Sequence, residues 1–114
     1  MRKKQELSSK TLAFLEEEMR IYPKVAYLKA IAEQTGNQKS VSYYENLERD
    51  IKEVFNELPD DLQAIVTECF WGKNRHLNWE TIGEIYLGFE RRKAYEVRYQ
   101  ILEELALKKG MLIR

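Results

Sequence analysis

The stretch FERRKAYEVRYQ, residues 89–100, gathers Arg91, Arg92, Lys93 and Arg98 in a chain of 114 residues whose 19 basic and 19 acidic side chains cancel. Cations packed this closely can neutralise phosphates, and an arginine among them can bond both major-groove acceptors of a guanine, a contact that tells one base pair from another. They can equally form a solvated, salt-laced helix face, the commoner fate of a cluster that also holds Glu90 and Glu96. The surrounding charge leans modestly towards a polyanionic partner. Residues 1–71 carry ten Lys and Arg against thirteen Asp and Glu (net −3), and residues 72–114 carry nine against six (net +3).

Helical spacing sorts these side chains into roles. Ala94, Val97, Ile101 and Leu105 recur at intervals of three, four and four residues, as the inward stripe of a long last helix does. A period of 3.6 then turns Arg92, Tyr95, Glu96 and Tyr99 outward, with Arg91, Lys93 and Arg98 on the flanks. The outward four are expected to read base edges, Arg92 first; Glu96 could accept from a cytosine amino group or pair with Arg92 four residues earlier. Arg91, Lys93 and Arg98, with Lys73 and Arg75 in the preceding loop and Asn78 at the start of the preceding helix, are expected to contact phosphates.

The elements that must hold this face are all helical, with about six helices expected and no strand alternation, internal repeat or low-complexity block. Leu12, Leu15, Met19 and Tyr22 fall at helical spacing from Ser9. Pro23 suits the first turn of a second helix carrying Tyr27, Leu28 and Ile31, and the two segments are expected to form a hairpin ahead of the TGNQ turn at 35–38. A third helix reads from about Ser42 with Leu47, Ile51, Val54 and Leu58 on one stripe, and Pro59 separates it from a short fourth with Leu62, Ile65, Val66, Cys69 and Phe70, ended by Gly72. Asn78 caps a helix over Trp79 to Leu87, Leu77 is set to pack on Ile82 as a hydrophobic staple, and Gly88 supplies a permissive turn residue before the last helix. Two helices joined by a short glycine-containing turn form a helix-turn-helix layout. Residues 1–57 are expected to form an N-terminal helical segment contributing to the core, and 58–114 the helix-turn-helix segment expected to bind DNA, together one compact all-α bundle.

Other chemistries find little support. Cys69 is the single cysteine and His76 the single histidine, too few for a zinc site, so a buried thiol and a surface imidazole are expected. The sequence has no phosphate-binding glycine loop, no His-Glu-x-x-His and no Ser/His/Asp set, so neither an enzyme nor a cofactor is expected. Ser8 and Ser9 read as caps of the first helix, and Phe70, Trp71, Trp79 and Phe89 as packing between helices. MRKKQELSSK leads into no apolar stretch of signal-peptide length, and about 18 apolar residues follow one another nowhere, so a cytoplasmic protein without membrane contact is expected.

From Leu58 to Ala106 the chain resembles the fourth-region helix-turn-helix of sigma factors, and in particular the RinA/ArpU group of phage transcriptional regulators. The matching motifs run in order: Leu58-Pro59, Trp71-Gly72-Lys73, Trp79 to Gly83, then Arg92-Lys93-Ala94-Tyr95 with Arg98. TLAFLEEEMRIYP also resembles the group's opening helix. Two departures fall in the turn, where the interval from Gly83 to Ala94 is one residue longer than usual and Phe89-Glu90 replaces a capping serine. The resemblance implies a phage or prophage activator that binds double-stranded DNA near a promoter in the bacterial host, acts through host RNA polymerase, switches on late packaging and morphogenesis genes, and uses its acidic N-terminal helices for dimerisation or polymerase contact. Two further readings stay open: a different phage DNA-binding role such as the small terminase component, and a module that binds host polymerase without touching DNA.

Overall fold

Helix starts leave backbone amides unpaired, and this chain places a side-chain acceptor at three of them. The computed structural model describes residues 7–88 and 91–113. In it Ser8 Oγ accepts from Thr11 N at 3.1 Å and opens α1, Ser9–Ile21. Asn37 Oδ1 accepts from Ser40 N at 3.1 Å and opens α3, Gln38–Glu57, four residues before the expected start at Ser42. Asn78 Oδ1 accepts from Thr81 N at 2.9 Å and opens α5, Trp79–Tyr86. The remaining helices are α2, Val25–Gln34, α4, Asp60–Ile65, and α6, Arg91–Lys108, with no strand among the described residues.

The N-terminal hairpin is built from different partners than the sequence suggested. Pro23 lies in a single 3-10 turn, Tyr22–Lys24, that carries α1 on into α2, and α2 folds back on α3 across the turn at 35–37. Beyond Pro59, α4 widens into a π turn, Val66–Phe70, closed by Trp71 N donating to Val66 O at 3.1 Å. The wider turn brings Gly72 against the backbone it has just left: a Cβ there would lie 2.7 Å from Thr67 O.

One contiguous core joins both parts of the chain. Leu15 and Met19 of α1, Leu47, Ile51 and Val54 of α3, Ile65 and Phe70, Trp79 and Ile82 of α5, and the inner face of α6 belong to the same buried cluster, with Leu77 packed at its edge as the staple requires. Cys69 is fully buried, as expected. Trp71 stacks on Tyr22 with ring centroids 4.7 Å apart and donates its Nε1 hydrogen to Met19 O at 2.7 Å, so both tryptophans serve packing; Phe89 lies outside the described residues. The shortest extent is 24 Å, the thickness of two helix layers of about 10–12 Å each. α6 lies against α1, α3 and α5 at once and so has one side left over for solvent.

Two glycines are expected to fail differently when replaced. Gly72→Ala forces a Cβ onto backbone that cannot step aside and should lower the urea unfolding free energy by about 1–3 kcal/mol. Gly88 has φ +77° with nothing within 4 Å of a Cβ, so Gly88→Ala should cost only the left-handed conformation, about 1–2 kcal/mol. Equal, negligible losses in both variants would contradict the close approach at Gly72.

Candidate nucleic-acid interface

The inner stripe of α6 is the one the spacing predicts. Ala94, Val97, Ile101 and Leu105 are all buried, and Leu102 and Ala106, which the sequence reading left out, are fully buried beside them. A helix backed this way projects the opposite side near its start: the Arg92 side chain is 91% exposed and the Glu96 side chain 64%, and Tyr95 is 43% exposed. Lys93 is exposed as well. Arg91 opens the helix, but its side chain lies outside the described part of the structure, as do Phe89 and Glu90. Arg92 Nε is 3.5 Å from Glu96 Oε1, the local pairing that four-residue spacing allowed. An exposed pair of this kind is worth a few tenths of a kcal/mol at most, about what a competing phosphate would have to displace.

Two side chains do not take the places expected of them. Tyr99 is only partly exposed, and its hydroxyl oxygen accepts from Leu7 N at 3.1 Å, so Leu7 engages the side chain assigned to base reading. Arg98 turns away from the surface, its Nε donating to Glu16 Oε1 at 2.6 Å with the side chain 20% exposed. Its guanidinium joins α6 to α1 and is not a phosphate contact in this arrangement. The reason is angular: the stripe at 94, 97, 101 and 105 is wide enough that 98, next to 97 and four residues after 94, falls on the border facing α1.

Glu16 is the acceptor for much more than Arg98. Arg20 Nε donates to Glu16 Oε2 at 2.9 Å, and Trp79 Nε1 donates to Glu16 Oε1 at 3.2 Å. Arg20 Nη1 in turn donates to the backbone oxygens of Cys69 and Arg75, at 3.0 and 3.1 Å. Burial alone would raise the Glu16 carboxyl, but the Arg98 hydrogen bond and the charge of Arg20 outweigh it and hold the group below its ordinary 4.5. Of this set, only the Glu16 and Arg20 pairing, four residues apart on α1, carried a signal in sequence.

The loop between the π turn and α5 is pinned from both sides. Tyr86 donates to Glu68 Oε1 at 2.6 Å and accepts from Asn74 Nδ2 at 3.0 Å. The Glu68 carboxylate, with a smaller contribution from burial, pushes the Tyr86 hydroxyl up to about 12. Lys73 and Arg75 flank Asn74 and are exposed, as is His76. Arg75 Nη1 reaches back to Trp71 O at 3.2 Å. Asn78 Oδ1 accepts from Thr81 N, which occupies that backbone amide, so the donor Asn78 can turn to a phosphate is its side-chain nitrogen. The outward side of α5 presents Glu80 and Glu84, both exposed and both repulsive to a nucleic-acid backbone. The favourable surface is therefore narrow: Arg92 and Lys93 at the start of α6, Tyr95 and Glu96 one turn on, and the loop cations Lys73 and Arg75.

Among the described residues no group of His, Cys, Asp and Glu could hold a metal ion, and no helix is long and apolar enough to cross a membrane. No family model, curated protein or solved structure matches the chain.

Glu16→Gln removes the charge that three donors share and should lower stability near neutral pH by about 2 kcal/mol. Because the folded carboxyl is held below 4.5, its contribution is present above that pH and fades as pH falls through the depressed folded value. The variant should therefore lose less stability than the parent between neutrality and strongly acid pH, as read from urea midpoints. Parallel acid limbs for the two proteins would show that Glu16 is not the coupled group.

Proposed function

We propose that this chain is a sequence-specific double-stranded-DNA-binding transcriptional regulator, in which α5, the Gly88 turn and α6 act as a helix-turn-helix. The observation that carries the reading is Arg92: it stands 91% exposed at the start of a helix whose other side is sealed into the core, the place from which a recognition helix reads base edges. Arg92 would bond guanine, with Tyr95 and Glu96 one turn further along the groove, and Lys93, Lys73 and Arg75 would hold phosphates. The order of motifs shared with phage regulators of the RinA/ArpU type adds the finer proposal of a phage or prophage activator of late genes working with host RNA polymerase.

One observation favours a protein-binding role alongside. Tyr27, 68% exposed, and Ile31, 40% exposed, stand four residues apart on α2, an apolar pair on the acidic part of the chain that DNA would not engage. Polymerase captured by the chain without any retardation of duplexes would favour the interaction module, and ring-like oligomers with affinity for packaging sites would favour a small terminase component.

In gel retardation at low salt, Arg92→Ala should weaken binding to a selected site by about 1–3 kcal/mol and relax preference at one base position. Lys93→Ala should weaken all duplexes alike and reduce the salt slope by about one. A wild-type protein that retards no duplex at low salt overturns the reading.

A further inference from the structure

We propose that the cleft between the end of α1 and the loop before α5 is a binding site for a small organic monoanion, a carboxylate or sulfonate carried on an apolar body. The inference goes beyond the DNA-binding reading above and does not depend on it.

The cleft has a volume of about 490 Å3 and is lined by Glu17, Arg20 and Ile21 of α1, Pro23 and Lys24 of the 3-10 turn, and Arg75 of the loop. Small-molecule sites typically occupy about 300–1,000 Å3, so the space suits a ligand larger than a bare ion. Its two walls are already tied together. Arg20 Nη1 donates to the Arg75 carbonyl at 3.1 Å, across 55 positions of sequence, and to the Cys69 carbonyl at 3.0 Å. A ligand therefore meets a preformed site and does not have to order it.

The three cations do not weigh equally. The charge of Arg20 is met by Glu16, whose Oε2 lies 2.9 Å from both Nε and Nη2. Lys24 and Arg75 are exposed, and among the described residues neither forms an ion pair. Arg75 commits Nη1 to Trp71 O at 3.2 Å, which leaves Nε and Nη2 to donate to an anion. Against these two charges the lining sets one carboxylate, the exposed Glu17, and the balance of one positive charge matches a monoanion. The apolar part of the ligand finds the half-buried Ile21, the Pro23 ring and the aliphatic stems of Arg20 and Lys24. An inorganic anion would leave that side wet and gain nothing from it.

The probe is 1-anilinonaphthalene-8-sulfonate, a monoanion on an aromatic body, titrated by fluorescence into the full chain near neutral pH at low salt. One saturable site per chain is expected. Combining Lys24→Gln with Arg75→Gln should weaken it about tenfold, while the Arg75 carbonyl that Arg20 bonds stays in place. Glu17→Gln should tighten it. Tyr27→Ser removes an exposed ring outside the lining and should leave binding unchanged. Octanoate should displace the dye, and inorganic phosphate at the same concentration should not. Binding unaltered by the Lys24 and Arg75 changes, or lost equally in Tyr27→Ser, overturns the site. A Glu17→Gln variant that binds no tighter overturns the charge balance, and phosphate as effective as octanoate overturns the apolar half. All of this is read without DNA, so a chain that retards no duplex leaves the result standing.

Discussion

One carboxylate decides how the two parts of this chain sit together. Glu16 accepts from Arg98 on α6, from Trp79 on α5 and from Arg20 on its own helix. A charge taken this far from water is tolerable only when its oxygens are fully engaged, and removing any one donor leaves the others around an under-satisfied group. The set therefore fixes angles as well as contacts: α5 and α6 can swing relative to α1 only by breaking it. Arg20 extends the constraint to the Cys69 and Arg75 carbonyls, so the loop that carries Lys73 is registered to the same carboxylate.

The far end of α6 is held by a second group of charges. Lys109 pairs with the buried Glu18, 2.6 Å away, and its ammonium also lies 5.2 Å from the Phe14 ring. Tyr43 donates to Glu18, and burial together with that carboxylate pushes its hydroxyl well above the usual tyrosine range. Lys108 reaches Glu53 and Glu57 on α3. With its middle tied to α1 and its end tied to α1 and α3, the helix is a rigid mount whose first turns stand clear.

The parts of this arrangement that sequence made legible are those governed by local rules. The stripe from Ala94 to Leu105, the Asn78 cap, the Gly88 turn and the buried Cys69 all follow from period, cap chemistry or backbone freedom within a few residues. The start of α3 was equally local, and Asn37 is an acceptor of the same type as Asn78; the polar TGNQ run concealed it by reading as loop throughout. The partnering of α2 with α3 instead of α1 goes with Pro23 lying in a 3-10 turn in place of opening a helix, a turn whose Tyr22 stacks on the distant Trp71. Arg98 and Tyr99 were beyond sequence reasoning, because their partners Glu16 and Leu7 are 82 and 92 positions away and no periodicity links them. At the candidate site, sequence named the cations as a group without telling that Arg98 would be taken up by the fold.

The π turn at Val66–Phe70 has an outcome for what variation the chain can absorb. By bringing Gly72 onto the Thr67 carbonyl it makes any side chain at that position costly, while Asn74 is committed to Tyr86. The residues between and after them, Lys73, Arg75 and His76, are exposed and support little of the core. Substitutions there should leave the scaffold unaltered, so relatives would be expected to diverge at these three places and agree at the glycine.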